Sequence, residues 1–245
     1  MFDSCLRFVV GNLPPEAIRG RSILEVGSCA VQGPTHSVRP TLEAAGPSSY
    51  MGVDLEHGPH VDEICDGGAL RERFGDESFD VVVTTEMLEH ARDWRGVVSN
   101  LKHVVKSGGT LLITTRSHGF PYHAWPGDYW RYERSDMREI FADFTVDVLE
   151  SDPEAPGVFL KATRPSEFHE RDLSAFELFS MVKQRRAREI TPRDERLFSV
   201  IYAPVRLVRS LVPHSWKRAL KRTPLSRENR IQARHARRAT PDHEA

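Results

Sequence analysis

The chain has 245 residues, of which 39% are hydrophobic, enough to build the core of one ordinary domain with an appendage. No apolar run approaches the ~18 residues of a membrane span. The opening MFDSCLRFVVGNLPP lacks the basic and apolar regions of a signal peptide. The three cysteines have no metal-ligand spacing, which argues against a disulfide scaffold or a zinc site. We therefore expect a cytoplasmic protein, whose net charge of −1 hides a basic C-terminal region: residues 204–245 carry 11 Lys and Arg against 3 Asp and Glu.

Apolar runs and helix-prone segments alternate along the chain from residue 22 onward. The predicted elements are, in chain order, a strand in RSILEVGS, a helix over roughly 34–45, strands in SSYMGVDLEHG and VDEICDGG, a helix from Ala69 to Phe74, a strand in SFDVVVTT, a helix from Leu88 to Val105, a strand from Thr110 to Thr115, a helix from Ser135 to Phe141, and an antiparallel pair in FTVDVLES and GVFLKATRP. Nearly continuous apolar strands separated by helices predict an α/β fold with a mainly parallel seven-stranded sheet, helices on both faces and an antiparallel closing strand.

The sequence pattern changes at residue 165, where charged, helix-prone sequence begins. We assign residues 1–164 to the sheet domain and residues 165–225 to a helical basic extension, with helices over Ser174–Ile190 and Glu195–Val212. Residues 226–245 have too few apolar groups to pack, and we expect this tail to be disordered.

Candidate ligand-binding residues follow the first two predicted strands, and ligands of parallel sheets bind at the carboxyl ends of the strands. Gly27 would let a ligand approach the backbone, and Asp54 could accept hydrogen bonds from ribose hydroxyls. Dinucleotide-binding folds use the same two features, but EVGSCAVQG lacks their G-x-G-x-x-G motif. Glu25, two residues before the glycine, would be unfavourable beside a pyrophosphate and favourable beside a cationic ligand.

The stretches ILEVGS, GVDL, ICDGG, SFDVVVTTEMLEH and VVKSGGTLLITT resemble, in this order and spacing, the class I S-adenosylmethionine-dependent methyltransferases with their Rossmann-like sheet; the match covers residues 22 to about 163. The resemblance implies S-adenosylmethionine as cofactor, bound by Glu25, Gly27, Ser28, Gly33, Asp54, Leu55, Asp66 and Gly67. In this scheme Glu25, Gly27 and Ser28 line the methionine part. Asp54 takes the ribose diol, and Asp66 with Gly67 borders the adenine, although Asp66 could instead be a simple loop acid. Cys29 and Val31 replace two glycines of the family pattern, and Gly33 would supply the close approach.

EMLEH, at residues 86–90, would place Glu86, Glu89 and His90 on one face of the first turn of a helix. The motif is similar to one in ubiquinone-biosynthesis O-methyltransferases and, as E-x-x-E-H, in small-RNA 2′-O-methyltransferases. This resemblance implies that the three side chains hold a divalent cation, Mg²⁺ or Mn²⁺, which receives substrate hydroxyls. Two alternatives stay open: His90 is a general base or a substrate contact, or the trio only caps the helix.

The loop SHGFPYHAWPGDYWRYERSDM is dense in His, Trp, Tyr and Pro and is too polar for a core, so we expect the acceptor pocket there. Its candidate acceptor-binding residues are His118, Trp125, Asp128, Tyr129 and Arg131. The aromatic rings could stack on a flat ring or a sugar, Asp128 and Arg131 could bind hydroxyls, and His118 or His123 could reach the methyl group. Alternatively, the aromatics pack the loop onto the sheet and Asp128 pairs with Arg131. A similar run occurs in bacterial methyltransferases of polysaccharide and glycolipid pathways.

These features predict an O-methyltransferase of a saccharide, glycolipid or other small molecule, with His90, His123 and Glu89 as candidate catalytic residues. The competing hypotheses are an N- or C-methyltransferase without metal and a non-catalytic S-adenosylmethionine-binding protein. Nucleic acid is a poor partner for the first 203 residues, because they carry a net charge of about −9. The basic stretch APVRLVRSLVPHSWKRALKRTPL favours peripheral contact with anionic lipid, unless it packs on the domain or on a second subunit.

Overall fold

The computed structural model describes residues 3–30, 37–123 and 127–211, with side chains up to residue 201. The expectations for Gly33, Trp125 and the tail 226–245 therefore lie outside the described residues. No helix within the described part of the chain is long and apolar enough to cross a membrane.

The central sheet has seven strands: β1 Ser22–Val26, β2 Ser49–Asp54, β3 Glu63–Ile64, β4 Phe79–Thr85, β5 Val105–Arg116, β7 Thr145–Ser151 and β8 Gly157–Thr163. Their order across the sheet is β3-β2-β1-β4-β5-β8-β7, and β8 runs in the direction opposite to the other six. This topology confirms the predicted fold.

Helices cover both faces of the sheet. They are α1 Asp3–Asn12, α2 Pro15–Ile18, α3 Arg39–Ala44, α4 Leu70–Phe74, α5 Trp94–Val104 and α6 Arg134–Ile140. The central strand β4 has a continuous apolar run in its middle because both of its faces are buried: Val82 packs in one core cluster, and Val81 and Val83 pack in the other. The opening helices α1 and α2 were not predicted in detail; Phe8 of α1 packs its ring on Phe159 of β8, 4.9 Å between centroids.

The segment after β4 departs from the predicted helix Leu88–Val105. A single 3₁₀ turn, Leu88–His90, follows the strand, and α5 begins only at Trp94 because the Asp93 carboxylate accepts a hydrogen bond from Gly96 N at 3.1 Å as an N-cap. Glu86 has a positive φ of 56° before this turn. The prediction that EMLEH forms the first turn of a helix is therefore wrong.

The extension also departs from the predicted helix over Ser174–Ile190. Two strands, β9 Leu178–Ser180 and β10 Arg185–Ala187, pair antiparallel. On its other edge β9 pairs antiparallel with the short strand β6 Trp130–Arg131 of the acceptor loop, so the three strands form a second, small sheet. Gln184, with a φ of 53°, adopts the left-handed conformation of the connecting turn, which an α-helix does not admit. The second predicted helix is present as α7 Pro192–Leu211.

Candidate functional site

A cavity of about 1340 Å³ opens at the carboxyl ends of β1 to β4. Seven predicted cofactor-binding residues line this cavity: Glu25, Gly27, Ser28, Asp54, Leu55, Asp66 and Gly67. They come from the carboxyl ends of β1, β2 and β3 and the loops that follow them, which meet because parallel strands present their carboxyl ends at one edge of the sheet.

The loop after β1 is bound to the end of β2. The Asp54 carboxylate accepts hydrogen bonds from Cys29 N at 3.0 Å and from Leu55 N at 2.7 Å, and Gly27 N donates to Val53 O at 2.9 Å. Gly27 has a φ of 80°, and an added Cβ would lie 2.8 Å from Met87 Cβ, so only glycine fits here. These bonds hold the Asp54 carboxylate in a fixed orientation at the cavity wall.

Two buried polar groups at the end of β1 suit a polar, cationic ligand. The Ser28 hydroxyl is buried and has no hydrogen-bond partner among the described residues. Glu25 is 3% exposed and accepts a hydrogen bond from Tyr50 Oη at 2.7 Å. Burial raises the pKa of Glu25 to about 7, against the opposing effects of Tyr50 and the Arg39 guanidinium. A cation bound in the cavity would favour the ionised carboxylate.

The Asp66 side chain stabilises the turn in which it lies, since its Oδ1 accepts a hydrogen bond from Gly68 N at 2.7 Å. This Asx-type contact is the alternative considered for Asp66, but the residue still lines the cavity. Gly67 packs closely against α5: an added Cβ would lie 3.2 Å from Val97 Cγ1. Only a residue without a side chain lets the Asp66 loop pack this closely on the start of α5.

Glu86 does not join the expected cluster with Glu89 and His90. Its carboxylate forms an ion pair with the buried guanidinium of Arg116 and accepts a hydrogen bond from Thr114 Oγ1 at 3.2 Å. Burial, followed by repulsion from Glu89, raises the pKa of Glu86 to about 7, and Arg116 opposes both effects. The carboxylate is drawn toward β5 because that strand ends in a buried cation.

Glu89 and His90 instead lie together with His123, and one side-chain oxygen or nitrogen of each points to a common centre. Their ligand atoms lie within 4.8 Å of one another. Glu89 is fully buried; its Oε2 accepts a hydrogen bond from Thr115 Oγ1 at 2.9 Å, while its Oε1 has no hydrogen-bond partner in the described part of the chain. That Oε1 lies 3.9 Å from His90 Nε2 and 4.0 Å from His123 Nε2.

The hydrogen-bond network assigns the tautomer of each imidazole. His90 Nδ1 contacts the carbonyl oxygen of Gly127, which can only accept, so Nδ1 carries the proton. His123 Nδ1 lies 3.0 Å from Asp128 Oδ2 and donates to that carboxylate in the same way. Both Nε2 lone pairs are therefore left for a proton or a cation beside Glu89.

Asp128 and Arg131 are fully buried, contrary to the prediction that they bind acceptor hydroxyls. Arg131 binds both oxygens of the Asp128 carboxylate, at 2.5 and 2.8 Å, and Asp128 Oδ2 also accepts from His123 N at 2.9 Å. Burial alone would raise the pKa of Asp128, but the hydrogen bonds from Arg131 and His123 hold it well below its usual range. The two residues therefore form the ion pair given above as the alternative, and Asp128 contacts His123.

The remaining predicted acceptor residues have different surroundings. Tyr129 lines the cavity, and its hydroxyl contacts Glu195, while burial raises the pKa of that hydroxyl. His118 lies away from the cavity lining: its backbone N–H donates to Glu133 at 2.9 Å, and its ring packs edge-on against Phe179. Trp130, a further aromatic residue of this loop, is fully buried in the core, so its ring does not stack on a ligand in the cavity.

Sequence reasoning missed the part of the cavity wall that comes from the extension. Arg188, Glu189 and Ile190 line the same cavity as the cofactor-side loops, and Arg92 donates two hydrogen bonds to Ile190 O at 3.1 and 3.2 Å. No motif marks these residues, because their position depends on the pairing of β9 with the acceptor loop.

A family model described as a methyltransferase domain matches residues 4–150. The chain belongs to this methyltransferase family. Together with the sheet order and the cavity, the match establishes a class I S-adenosylmethionine-dependent methyltransferase, as the sequence motifs predicted. No curated protein sequence matches this methyltransferase.

Solved structures share the fold of this methyltransferase at low sequence identity. The 1,6-didemethyltoxoflavin-N1-methyltransferase of Burkholderia thailandensis, with bound 1,6-didemethyltoxoflavin and S-adenosylhomocysteine, is 15% identical, with a TM-score of 0.51 over 66% of this chain and 79% of its own. Phosphoethanolamine N-methyltransferase 2 of Haemonchus contortus, in complex with S-adenosylmethionine, is 17% identical, with a TM-score of 0.50 over 67% of this chain and 53% of its own. These matches describe the fold and leave the acceptor open.

Proposed function

We propose that this methyltransferase transfers a methyl group to a hydroxyl oxygen of a small molecule, of which a saccharide or glycolipid is the preferred class. The observation that carries the proposal is the cluster of Glu89 Oε1 with the Nε2 atoms of His90 and His123. A hydroxyl is a poor nucleophile until its proton is removed or its oxyanion is stabilised, and this cluster offers groups for both tasks. A neutral amine nitrogen is a stronger nucleophile than a hydroxyl oxygen and needs neither.

The proposed reaction is an in-line displacement at the methyl carbon. The acceptor oxygen forms a bond to the methyl carbon while the carbon–sulfur bond breaks, and that electron pair stays on sulfur in the S-adenosylhomocysteine that leaves. The hydroxyl proton passes to the cluster. His90 is the preferred base, because it lines the cavity and its Nε2 has no proton in the tautomer assigned above.

The cofactor would occupy the loops after β1, β2 and β3, as the resemblance implied. Ser28 and Glu25 would meet the methionine part, Asp54 the ribose diol, and the Asp66–Gly67 turn the adenine. The unpartnered Ser28 hydroxyl and the buried Glu25 carboxylate are the observations that support this placement.

A divalent cation also fits the cluster. Glu89 supplies a buried carboxylate oxygen that lacks a hydrogen bond among the described residues, and His90 and His123 supply lone pairs fixed by Gly127 and Asp128. Metal-ligating histidines commonly donate their second N–H to a carbonyl or a carboxylate in this way. Two imidazoles suit Mn²⁺, Fe²⁺ or Zn²⁺ better than Mg²⁺, and the bound ion would stabilise the acceptor oxyanion.

The test compares methyl transfer and cation binding in the same variants. We expect Glu89→Gln and His123→Ala to lose methyl transfer from radiolabelled S-adenosylmethionine to a panel of saccharides. The exposed residues Glu167 and His169 provide matched controls, Glu167→Gln and His169→Ala, which should retain the activity. Cofactor binding, measured by calorimetry, should be unchanged in all four variants.

Titration with Mn²⁺, followed by calorimetry and electron paramagnetic resonance, separates the two roles of the cluster. Binding that is lost in both cluster variants and kept in both controls supports a cation site. Full activity in excess chelator would reject the cation and retain His90 as base. Full activity of Glu89→Gln and His123→Ala would reject the cluster and, with it, the argument for an oxygen acceptor.

A further inference from the structure

Helix α7 begins beside the cavity mouth, and several contacts hold its first turns there. The Asp194 carboxylate accepts hydrogen bonds from Thr191 N at 2.8 Å and Thr191 Oγ1 at 2.6 Å, which caps the helix. Glu195 lies 3.6 Å from the Arg92 guanidinium, and the Phe198 ring lies 5.4 Å from the Tyr122 ring. The start of α7 is therefore attached to the residues that also hold Ile190 in the cavity wall.

The same helix turns apolar side chains to solvent. Leu197, Val200 and Ile201 are 63%, 72% and 64% exposed, and their spacing of three and four places them on one face. We call this face the α7 stripe. A surface helix normally directs such a face to the core, so an outward apolar face indicates a binding surface.

The positive charge of the sequence next to the α7 stripe indicates which kind of surface the stripe binds. Residues 204–245, which begin within this helix, carry 11 Lys and Arg against 3 Asp and Glu. An apolar face next to such a basic segment matches the boundary of an anionic lipid surface, where apolar groups enter the acyl region and basic groups meet the headgroups. A second copy of the chain would bring two basic segments together and would be disfavoured by their repulsion.

We propose that the α7 stripe binds an anionic membrane surface and holds the cavity mouth next to it. Ile190 lines the cavity, and α7 starts two residues later at Pro192, so the helix cannot dock far from the mouth. If the acceptor atom is a hydroxyl oxygen, as the proposed function has it, this arrangement indicates that a lipid or a lipid-linked molecule carries that hydroxyl. An acceptor held in the membrane would then reach the cavity without leaving the surface.

The test measures co-sedimentation of the full chain with vesicles of phosphatidylcholine alone or with about 30% phosphatidylserine. The variant Leu197→Gln, Val200→Gln, Ile201→Gln removes the apolar stripe at exposed positions, so folding should be unaffected. A matched control, Val10→Gln with Ile64→Gln, changes exposed apolar residues elsewhere. We expect wild type and control to bind anionic vesicles, and the stripe variant to bind at least about tenfold more weakly.

Salt and lipid composition supply the electrostatic arm of the same experiment. Binding should fall at high ionic strength and on neutral vesicles, because screening removes the attraction of the basic segment. The proposal is overturned if the wild type does not sediment with anionic vesicles, or if the stripe variant binds them as tightly as the wild type. It is also overturned if light scattering shows that the wild type is a dimer and the stripe variant a monomer, while the two bind vesicles equally.

Sedimentation requires neither cofactor nor acceptor, so the two proposals can fail separately. A negative vesicle result rejects membrane docking and leaves methyl transfer to a hydroxyl untouched. A negative methyl-transfer result, with vesicle binding intact, rejects the assigned acceptor and leaves the docking surface in place.

Discussion

Replacement of Glu25 by glutamine should make the protein without ligand more stable and weaken its binding of S-adenosylmethionine. Burial raises the pKa of Glu25 from its ordinary 4.5 to about 7. Because one pKa unit corresponds to ~1.4 kcal/mol, the buried ionised form costs the fold at most about 3.5 kcal/mol. The amide oxygen of the introduced glutamine can still accept the hydrogen bond from Tyr50, so Glu25→Gln removes this cost without removing the contact.

The sign of the pH dependence follows from the raised pKa. Below about pH 4.5 Glu25 is protonated in both the folded and the unfolded chain, and its ionisation costs nothing. Between about pH 4.5 and 7 the unfolded chain loses the proton first, so the stability of the wild type falls with rising pH. The stabilisation by Glu25→Gln should therefore be full at pH 8 and small at pH 5.

Chemical denaturation at the two pH values measures this difference, with Glu72→Gln, an exposed change on α4, as the control. Calorimetry at pH 8 should show weaker binding of S-adenosylmethionine by Glu25→Gln, since the cationic ligand loses an opposing charge. Wild-type affinity should itself fall as the pH drops below about 7, and the affinity of the variant should change less. Equal gains in stability at pH 5 and pH 8 would refute the electrostatic explanation.

Three further changes test the site. Asp54→Ala should weaken binding of S-adenosylmethionine by about 1.5–3 kcal/mol in calorimetry, because a charged acceptor for ribose hydroxyls is lost; unchanged affinity would remove Asp54 from the site. Gly27→Ala should lower the free energy of unfolding by roughly 1–3 kcal/mol, because the new methyl group meets Met87 at a positive φ; a neutral result would show that the loop adjusts. Asp128→Asn should lower the free energy of unfolding by about 3–5 kcal/mol, since it leaves the Arg131 guanidinium buried without its counter-charge. The same variant should lower cation affinity by roughly 10–100-fold in calorimetry, because Asp128 orients the imidazole of His123. Unchanged affinity in the folded variant would exclude a positioning role for Asp128.

The sheet and the cofactor-side loops could be predicted because their signals are local. A strand buried on both faces carries adjacent apolar residues instead of alternating ones, and β4 shows this directly in Val81, Val82 and Val83. Asp54 and Gly27 follow such strands at once, and the carboxyl ends of parallel strands meet at one edge. Their place in the cavity needs no knowledge of distant contacts.

The geometry of EMLEH could not be predicted, because it depends on a residue about thirty positions further along the chain. Helical spacing alone placed Glu86 with Glu89 and His90, but the buried guanidinium of Arg116 at the end of β5 takes the Glu86 carboxylate. His123 was considered as a separate base, and no spacing rule indicates that its ring would lie 4.9 Å from that of His90.

The strands of the extension were missed for a related reason. The segment around Leu178 and Arg185 is charged and helix-prone in isolation, but β6 offers an edge to which an extended segment can pair. Backbone pairing with a distant partner then outweighs local propensity. The same pairing brings Ile190 into the cavity wall, so the error in secondary structure concealed a part of the site.

Glu86 and Glu89 lie three residues apart, and the fold gives them opposite environments. Glu86 has a buried counter-charge in Arg116, an arrangement that a structural ion pair requires. Glu89, also buried, has two imidazole lone pairs beside the oxygen that lacks a hydrogen bond in the described part of the chain, and lone pairs cannot compensate a negative charge. A proton or a cation among these three atoms would satisfy all of them. A hydroxyl can become a nucleophile there either by giving its proton to the cluster or by binding through its oxygen to a cation in the cluster. Under the proposed function, this physical difference between the two carboxylates gives Glu86 a structural role in the ion pair with Arg116 and gives Glu89 the role in the chemistry.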